Sequence, residues 1–328
     1  MRFGIILNGG PATRQSRAGV LAELLEKARL ARRCGFHSLW VGPGYLTQGW
    51  HATVLLARVA AEVPGMDLGM VGLLPLYHPV ELAEQISTLD VVCGGKFVLA
   101  AALGWRDFQF RAFEVREGQR LARFQEVLEI MKQLWTQERV TYQGRYFSID
   151  DVPGAGIPLQ RPYPRLLIAA NLDAGVVRAA NIADGWLISS RATLPTISRQ
   201  MNLYRDALRH TGQQGYVAAW REMFVAASRA DAIATIRPHV ERLYQNRAAL
   251  GHNRALPEAD RIDVPFETVP EGRFVLGSAE ECIAEVKRYQ ELGVEEMIMR
   301  CQWPGMATEG ALKAIRLFGS EILPKFVA

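Results

Sequence analysis

This 328-residue chain is poor in the features that mark most catalytic and binding modules. It has four cysteines, Cys34, Cys93, Cys282 and Cys301, and no two of them form a C-x-x-C pair. That spacing argues against a zinc site or a disulfide framework, so no metal is expected and reduced, buried thiols fit best. No G-x-G-x-x-G occupies the first loop, and no G-x-x-x-x-G-K-[ST] occurs anywhere, which removes the common nucleotide-binding routes. H-E-x-x-H, G-x-S-x-G and a carboxylate pair suited to hydrolysis are also missing. No apolar run reaches the ~20 residues of a membrane span. The chain opens directly on the strand-like FGIIL without a charged leader. A soluble, cytoplasmic protein with no membrane partner is therefore expected. Lys and Arg number 38 against 34 Asp and Glu, for a net charge of +4. These cations are spread along helices (Arg29, Arg32, Arg33; Arg116, Arg120, Arg123) with no basic block, so no nucleic-acid partner is expected.

What the chain does have is a βα rhythm. Hydrophobic residues make up 49% of it, enough for one large core, and 1–328 reads as a single domain. The stretch 68–105 sets the pattern. An apolar run, Leu68 to Leu74, is followed by a proline-bounded loop. A helical stretch from Val80 to Val92 follows, with Leu82, Ile86, Leu89 and Val92 spaced by three or four. Gly94-Gly95 ends it before a second apolar run, Phe97 to Leu103. That is a βαβ unit with parallel strands. Further strands are expected at 3–7, 38–41, 165–169, 185–188, 217–226 and 296–300. Helices are expected at 20–34, 50–63, 121–135, 173–183, 195–211, 231–250, 278–292 and from 310. A polar loop is expected over Asn8 to Ser16. VTYQGRYFSI turns around Gln143-Gly144 as a hairpin outside the main sheet. Residues 251–273 read as irregular, and Ser278 with Glu281 as a capping box. Eight strands alternating with helices predict a (β/α)8 TIM barrel with insertions after strands 4 and 7; an open doubly wound sheet is the alternative.

In a barrel, chemistry gathers at the carboxyl ends of the strands. Those ends include Asn8, Tyr45, Leu103 to Arg106, Ala170 to Asp173, Ser189 to Arg191, Gln302 and Trp303. Most of these side chains are apolar or aromatic and few titrate. Such a pocket suits a protein whose reactive group comes with a cofactor. Tyr45, His51, Trp105, Arg106, Gln302 and Trp303 are pocket candidates, while Gln302-Trp303 reads equally as a barrel plug. His78 could be a base or a hydrogen-bonded structural histidine, and His37 a cap or surface residue. The small residues Ala169-Ala170 before Asn171-Leu172-Asp173 let a helix N-terminus approach a phosphate; an ordinary N-cap by Asn171 or Asp173 is the other reading. Phe124, Met131 and Trp135 are expected in the core.

The segments LPLYHPVELAEQISTLDVVCGGKFVLAAALGW, ARRCGFHSLWVG, RPYPRLLIAANLDAGVVRAANIADGWLIS and GSAEECIAEVKRYQELGVEEMIMRCQWPG resemble the bacterial-luciferase-like family of flavin-dependent oxidoreductases. The resemblance covers nearly the whole chain. It implies a (β/α)8 barrel that binds FMN, in its reduced form, or the deazaflavin F420. By position, Met70, Val71 and Gly72 match a strand-three bulge behind the flavin ring, often built on a non-prolyl cis peptide. Leu103 and Gly104 match the strand-four edge near the ring. Ala170, Asn171, Leu172 and Asp173 match the phosphate loop, and Gly185 and Trp186 the next strand's contact. Luciferases carry an acid followed by histidines after strand two. Here Gly42, Pro43 and Gly44 stand there, so light emission is not expected.

The expected activity is that of a two-component monooxygenase. It would use reduced FMN from a separate flavin reductase, and O₂, on a small apolar or aromatic substrate. F420- or FMN-dependent hydride transfer is the alternative, and a non-catalytic flavin-binding protein a second one. Family members are commonly homodimers, and the second and third helices are the expected interface.

Overall fold

The computed structural model describes residues 1–8, 16–47 and 49–326. In chain order the elements are β1 (Arg2–Ile6), α1 (Arg17–Arg33), β2 (Ser38–Val41), α2 (Ala52–Ala60), β3 (Asp67–Leu73), α3 (Pro79–Val92) and β4 (Phe97–Ala102). Then come α4 (Asp107–Ala112), α5 (Arg120–Thr136), β5 (Arg139–Gln143), β6 (Ser148–Pro153), β7 (Arg165–Ala170), α6 (Asp173–Ile182) and β8 (Gly185–Ile188). The chain ends with α7 (Leu194–Thr211), β9 (Tyr216–Val225), α8 (Arg229–Ala249), β10 (Phe274–Gly277), α9 (Ala279–Glu291), β11 (Glu296–Arg300) and α10 (Thr308–Leu317). The strand order β10-β9-β11-β1-β2-β3-β4-β7-β8, with β9 also paired to β8, is that of a (β/α)8 barrel carrying one added strand. The chain divides into two compact units, Met1–Trp40 with Ile168–Ala328, and Val41–Leu167.

The first unit is built on the ladder β8-β9-β11-β1-β2. Its strands are buried on both faces, as short Val/Ile/Met-rich runs require in a parallel sheet covered by helices. Ser16 accepts the Gly19 amide and starts α1, whose Leu24, Leu25, Ala28 and Ala31 face the core. The expected capping box of α9 is present in full: Ser278 accepts from the Glu281 amide and Glu281 accepts from the Ser278 amide. Most helix limits move by one to three residues from the sequence expectation. The loop expected at Asn8–Ser16 falls, between its two end residues, outside the described residues.

The second unit holds the pair β3-β4, the antiparallel hairpin β5-β6, and helices α2 to α5. The α5 core is as expected: Phe124, Met131 and Trp135 are buried, and the Trp135 indole donates to the Ala83 carbonyl at 3.0 Å.

Two expectations need correction. The segment 251–273, read as irregular, contains three short 3-10 turns, and the strand β10 follows it directly. Four residues are too few to show a period, and β10 forms because β9 is ten residues long. β8 pairs with Tyr216 to Ala219 and β10 with Glu222 to Val225, while β11 occupies the other edge. One edge of β9 thus serves two strands end to end. The second correction concerns the bulge and cis peptide implied at Met70-Val71. The β3-β4 register runs unbroken from Leu68↔Phe97 to Leu73↔Ala102, so no bulge interrupts the pairing on that edge. The cis peptide found among the described residues is Arg161-Pro162.

Candidate functional site

The strand ends of the second unit form an aromatic wall. Beyond β4 the chain turns at Gly104, whose φ is +79° and where a Cβ would lie 2.9 Å from Cζ of Phe110. Only glycine fits that turn without displacing the ring. Phe110 packs with Leu73, Leu76 and Val115, and Tyr45 and Ala102 lean on this cluster. Tyr45 meets Tyr77 edge-on at 5.7 Å, Phe113 at 5.1 Å and His51 at 5.7 Å. The buried Gln109 amide holds the Tyr45 carbonyl at 2.6 Å. Trp105 and Arg106 are half-buried side by side, with the guanidinium 4.4 Å from the indole centroid. Leu103 and Gly104 are half-buried, whereas Met70, Val71 and Gly72 are buried within the ladder.

The two phenols of this wall are held above their ordinary range. Burial pushes the Tyr45 phenol up, against the hydrogen bond it shares with Tyr77. Burial raises Tyr77 as well, with Tyr45 adding to the effect. His51 is exposed just before α2, and its Nδ1 lies 3.0 Å from the Thr53 hydroxyl. His78 is exposed before α3, its ring edge on Phe147. His37 is neither a cap nor fully exposed; its Nδ1 accepts the Phe3 amide at 3.3 Å.

In the first unit the expected phosphate loop sits at the end of β7. Asn171 donates to the Ala255 carbonyl at 2.9 Å. Arg199 of α7 grips Asp173 with two bonds of 2.7 and 2.8 Å, and Gln200 donates to the Asn171 carbonyl and to Asp173. The Arg199 bonds, helped by Gln200, hold the Asp173 carboxyl at about 2. The N-cap of α6 is neither Asn171 nor Asp173 but Leu172, which is exposed and supplies no side-chain cap. Both polar side chains are drawn to neighbours, so the α6 N-terminus has no side-chain cap from its N-cap residue, while the Gly175 amide donates to the Leu172 carbonyl at 2.8 Å. Gly185 and Trp186 lie at the amino end of β8, not its carboxyl end. Trp186 is fully buried against Tyr204, and its indole donates to the Ala170 carbonyl at 3.0 Å, so it supports the loop from behind.

Gln302 and Trp303, after β11, are buried and heavily committed. The Gln302 amide donates to the Met306 carbonyl and the Thr308 hydroxyl, and its Oε1 accepts from Lys27. Lys27 also donates to the Asn8 carbonyl at 2.9 Å, and Asn8 donates to the Gln302 carbonyl at 2.6 Å. Burial pulls the Lys27 ammonium down, with Cys301 and Glu23 opposing. Trp303 donates to Glu222 at 2.9 Å.

Glu222 leads to a group that the sequence reading passed over. It is fully buried on β9, with Arg300 at 3.2 Å and Arg191 at 3.6 Å from Oε1. Burial works against its charge, but Arg300, Arg191 and Arg247, with the Trp303 bond, together outweigh burial and hold the carboxyl below its ordinary range. The signal was in the sequence: WREMF and EMIMR place charges inside strands that are otherwise apolar, where charge is rarely left without a partner. Among the described residues, no three His, Cys, Asp or Glu side chains gather as a metal site, and no helix is long and apolar enough to cross a membrane.

The comparisons agree with the barrel order of strands. The profile of the luciferase-like monooxygenase family matches residues 1–296. The F420-dependent glucose-6-phosphate dehydrogenase of Amycolatopsis mediterranei is 24% identical over 93% of this chain and 95% of its own. The monooxygenase RslO1 from Streptomyces bottropensis superposes with a TM-score of 0.87 at 24% identity, covering all of both chains. The oxygenating constituent of 3,6-diketocamphane monooxygenase from Pseudomonas putida, solved with FMN, gives 0.81 at 16% identity, over 100% of this chain and 99% of that one. With its barrel order of strands and the match over residues 1–296, the chain belongs to the luciferase-like monooxygenase family.

Proposed function

We propose that the protein is a monooxygenase that uses reduced FMN, delivered by a separate reductase, and O₂ to oxygenate a small apolar or aromatic compound. The observation that carries this reading is the aromatic wall at the β2 and β4 exits, whose two phenols, among the described residues, are held protonated. Gly42, Pro43 and Gly44 stand after β2, Tyr45 and Tyr77 are held protonated, and His51 is turned to Thr53. Such a wall would exclude water and orient a substrate.

Each unit, taken by itself, has one feature that suits a flavin. Gly104 leaves bare backbone at the β4 exit, beside Leu103. The first-turn amides of α6, with no side-chain cap from Leu172, suit a phosphate at Asn171 to Asp173. When bound, reduced FMN supplies the two electrons that take one oxygen atom of O₂ to the substrate and the other to water. The protein's own part is binding and enclosure. Arg199 and Gln200 fix the loop 171–173. Trp186 holds the Ala170 carbonyl from behind. Tyr45, Trp105 and Arg106 border the substrate. Gln302 and Trp303, whose polar atoms are committed, act through packing. A homodimer through α2 and α3 belongs to the same reading. It is supported by the exposed Val54, Val91 and Val92 on those helices, and light scattering tests it.

Hydride transfer with F420 is the second reading, favoured by the likeness to F420-dependent dehydrogenases. Anaerobic titration with FMN, reduced FMN and F420 separates the two. Tighter binding of reduced FMN, with O₂ consumed and oxygenated product formed, supports the monooxygenase. Tighter binding of F420, with F420 turned over and no O₂ uptake, overturns it.

A further inference from the structure

We propose that Arg191, Trp220 and Arg300 form a receptor for an oxyanion, the phosphate or carboxylate group of a small-molecule ligand. Arg191 follows β8, Trp220 lies on β9 and Arg300 ends β11. Both arginines are more than nine-tenths buried. Between them stands one acid, Glu222, and it is already saturated. It takes Arg300 at 3.2 Å, Arg191 at 3.6 Å, Tyr244 at 3.4 Å and Trp303 at 2.9 Å. Two guanidinium groups against one carboxylate leave a net positive charge in a buried place.

The hydrogen-bond inventory points the same way. Nε and Nη2 of Arg191, Nε of Arg300 and Nε1 of Trp220 are all buried, and none has a hydrogen-bond partner. Every one of these atoms is a donor, so the group lacks acceptors only. Arg300 stacks over the Trp220 ring at 5.1 Å, and Arg191 over the Tyr244 ring at 4.9 Å, which fixes both forks in place. Buried charge without a counter-charge is unfavourable, and a water molecule would satisfy donors without neutralising anything. A planar or tetrahedral oxyanion does both, and bidentate binding by guanidinium is the geometry these groups favour. The inference does not depend on which cofactor the protein uses.

The test is thermal unfolding of the flavin-free protein in sodium phosphate, sodium acetate and sodium chloride at equal ionic strength. The expected result is a midpoint about 2 °C higher in phosphate or acetate than in chloride. A rise in phosphate alone assigns a phosphoester ligand, and a rise in acetate alone a carboxylic acid. Arg191→Gln should abolish the rise. Trp220→Phe keeps the charge and nearly the shape but removes one orphan donor, and should weaken anion binding about tenfold. Equal midpoints in all three salts for the unmodified protein, or an undiminished rise in Trp220→Phe, overturn the proposal. The second variant decides the matter if Arg191→Gln does not fold.

Discussion

Glu222 and Arg300 are Cα partners across the β9-β11 ladder, and their side chains meet on the same face at 3.2 Å. A buried pair of this kind is weak evidence for net stability, but breaking it is costly because one charge is left behind. Glu222→Gln keeps the shape and removes the charge facing two arginines. It should destabilise the fold by about 3 kcal/mol, measured by urea unfolding. A loss below 0.5 kcal/mol would mean that the arginines are neutralised by something else.

Gly104 is held by its backbone. With φ at +79° and Phe110 2.9 Å from any added Cβ, Gly104→Ala should cost about 1–3 kcal/mol. It should also weaken flavin binding, since it alters the β4 exit. Calorimetric unfolding together with a flavin titration reads both.

The Ser278-Glu281 box caps α9 directly after β10. Ser278→Ala should cost about 1 kcal/mol and leave ligand affinity unchanged. A change in affinity would show that α9 has a part in binding.

Asp173 carries a pH signature. Its carboxyl is depressed from 3.8 to about 2, chiefly by Arg199. A group depressed in the folded state contributes stability that is fully present above its unfolded value. That contribution is lost as pH falls from about 4 through about 2. Carboxyl ¹³C NMR should place the Asp173 midpoint near 2, and Arg199→Gln should return it toward 3.8. An unchanged midpoint in the variant would assign the shift to another cause.

The thiols should divide by depth. Cys93, Cys282 and Cys301 are buried, and burial pushes the first two up to about 12. Native protein at pH 8 should therefore release less than one equivalent with a thiol reagent, from Cys34, and four after denaturation.

The barrel was legible because buried parallel strands leave unmistakable apolar runs such as Leu68 to Leu74, and because Ser278 and Gly35 mark helix ends through local chemistry. β10 was not legible, since Phe274 to Gly277 form a strand only through the long partner β9. The N-terminus of α6 was half legible. The sequence showed Asn171 and Asp173 as possible caps, but not that Ala255, Arg199 and Gln200, distant in sequence, would claim their side chains. The arginine group stayed hidden for a similar reason: Arg191, Glu222 and Arg300 lie on three separate segments, and only the register of β9 with β11 brings the last two opposite each other.

The end-to-end sharing of one β9 edge has a consequence for how such a chain can diversify. The ladder β8-β9-β11-β1-β2 is complete without β10. The stretch from 251 to 277 is thus a cassette, docked on a ring of pairings that does not need it. Yet the cassette reaches inward: Arg273 donates to the Arg191 carbonyl at 2.8 Å, and Asp260 accepts from Thr193 and Thr196. Exchanging it between relatives would re-tune the loop that carries Arg191 while leaving the strand framework intact. Ligand preference could then drift by recombination of one segment, without any change to the strands that define the fold.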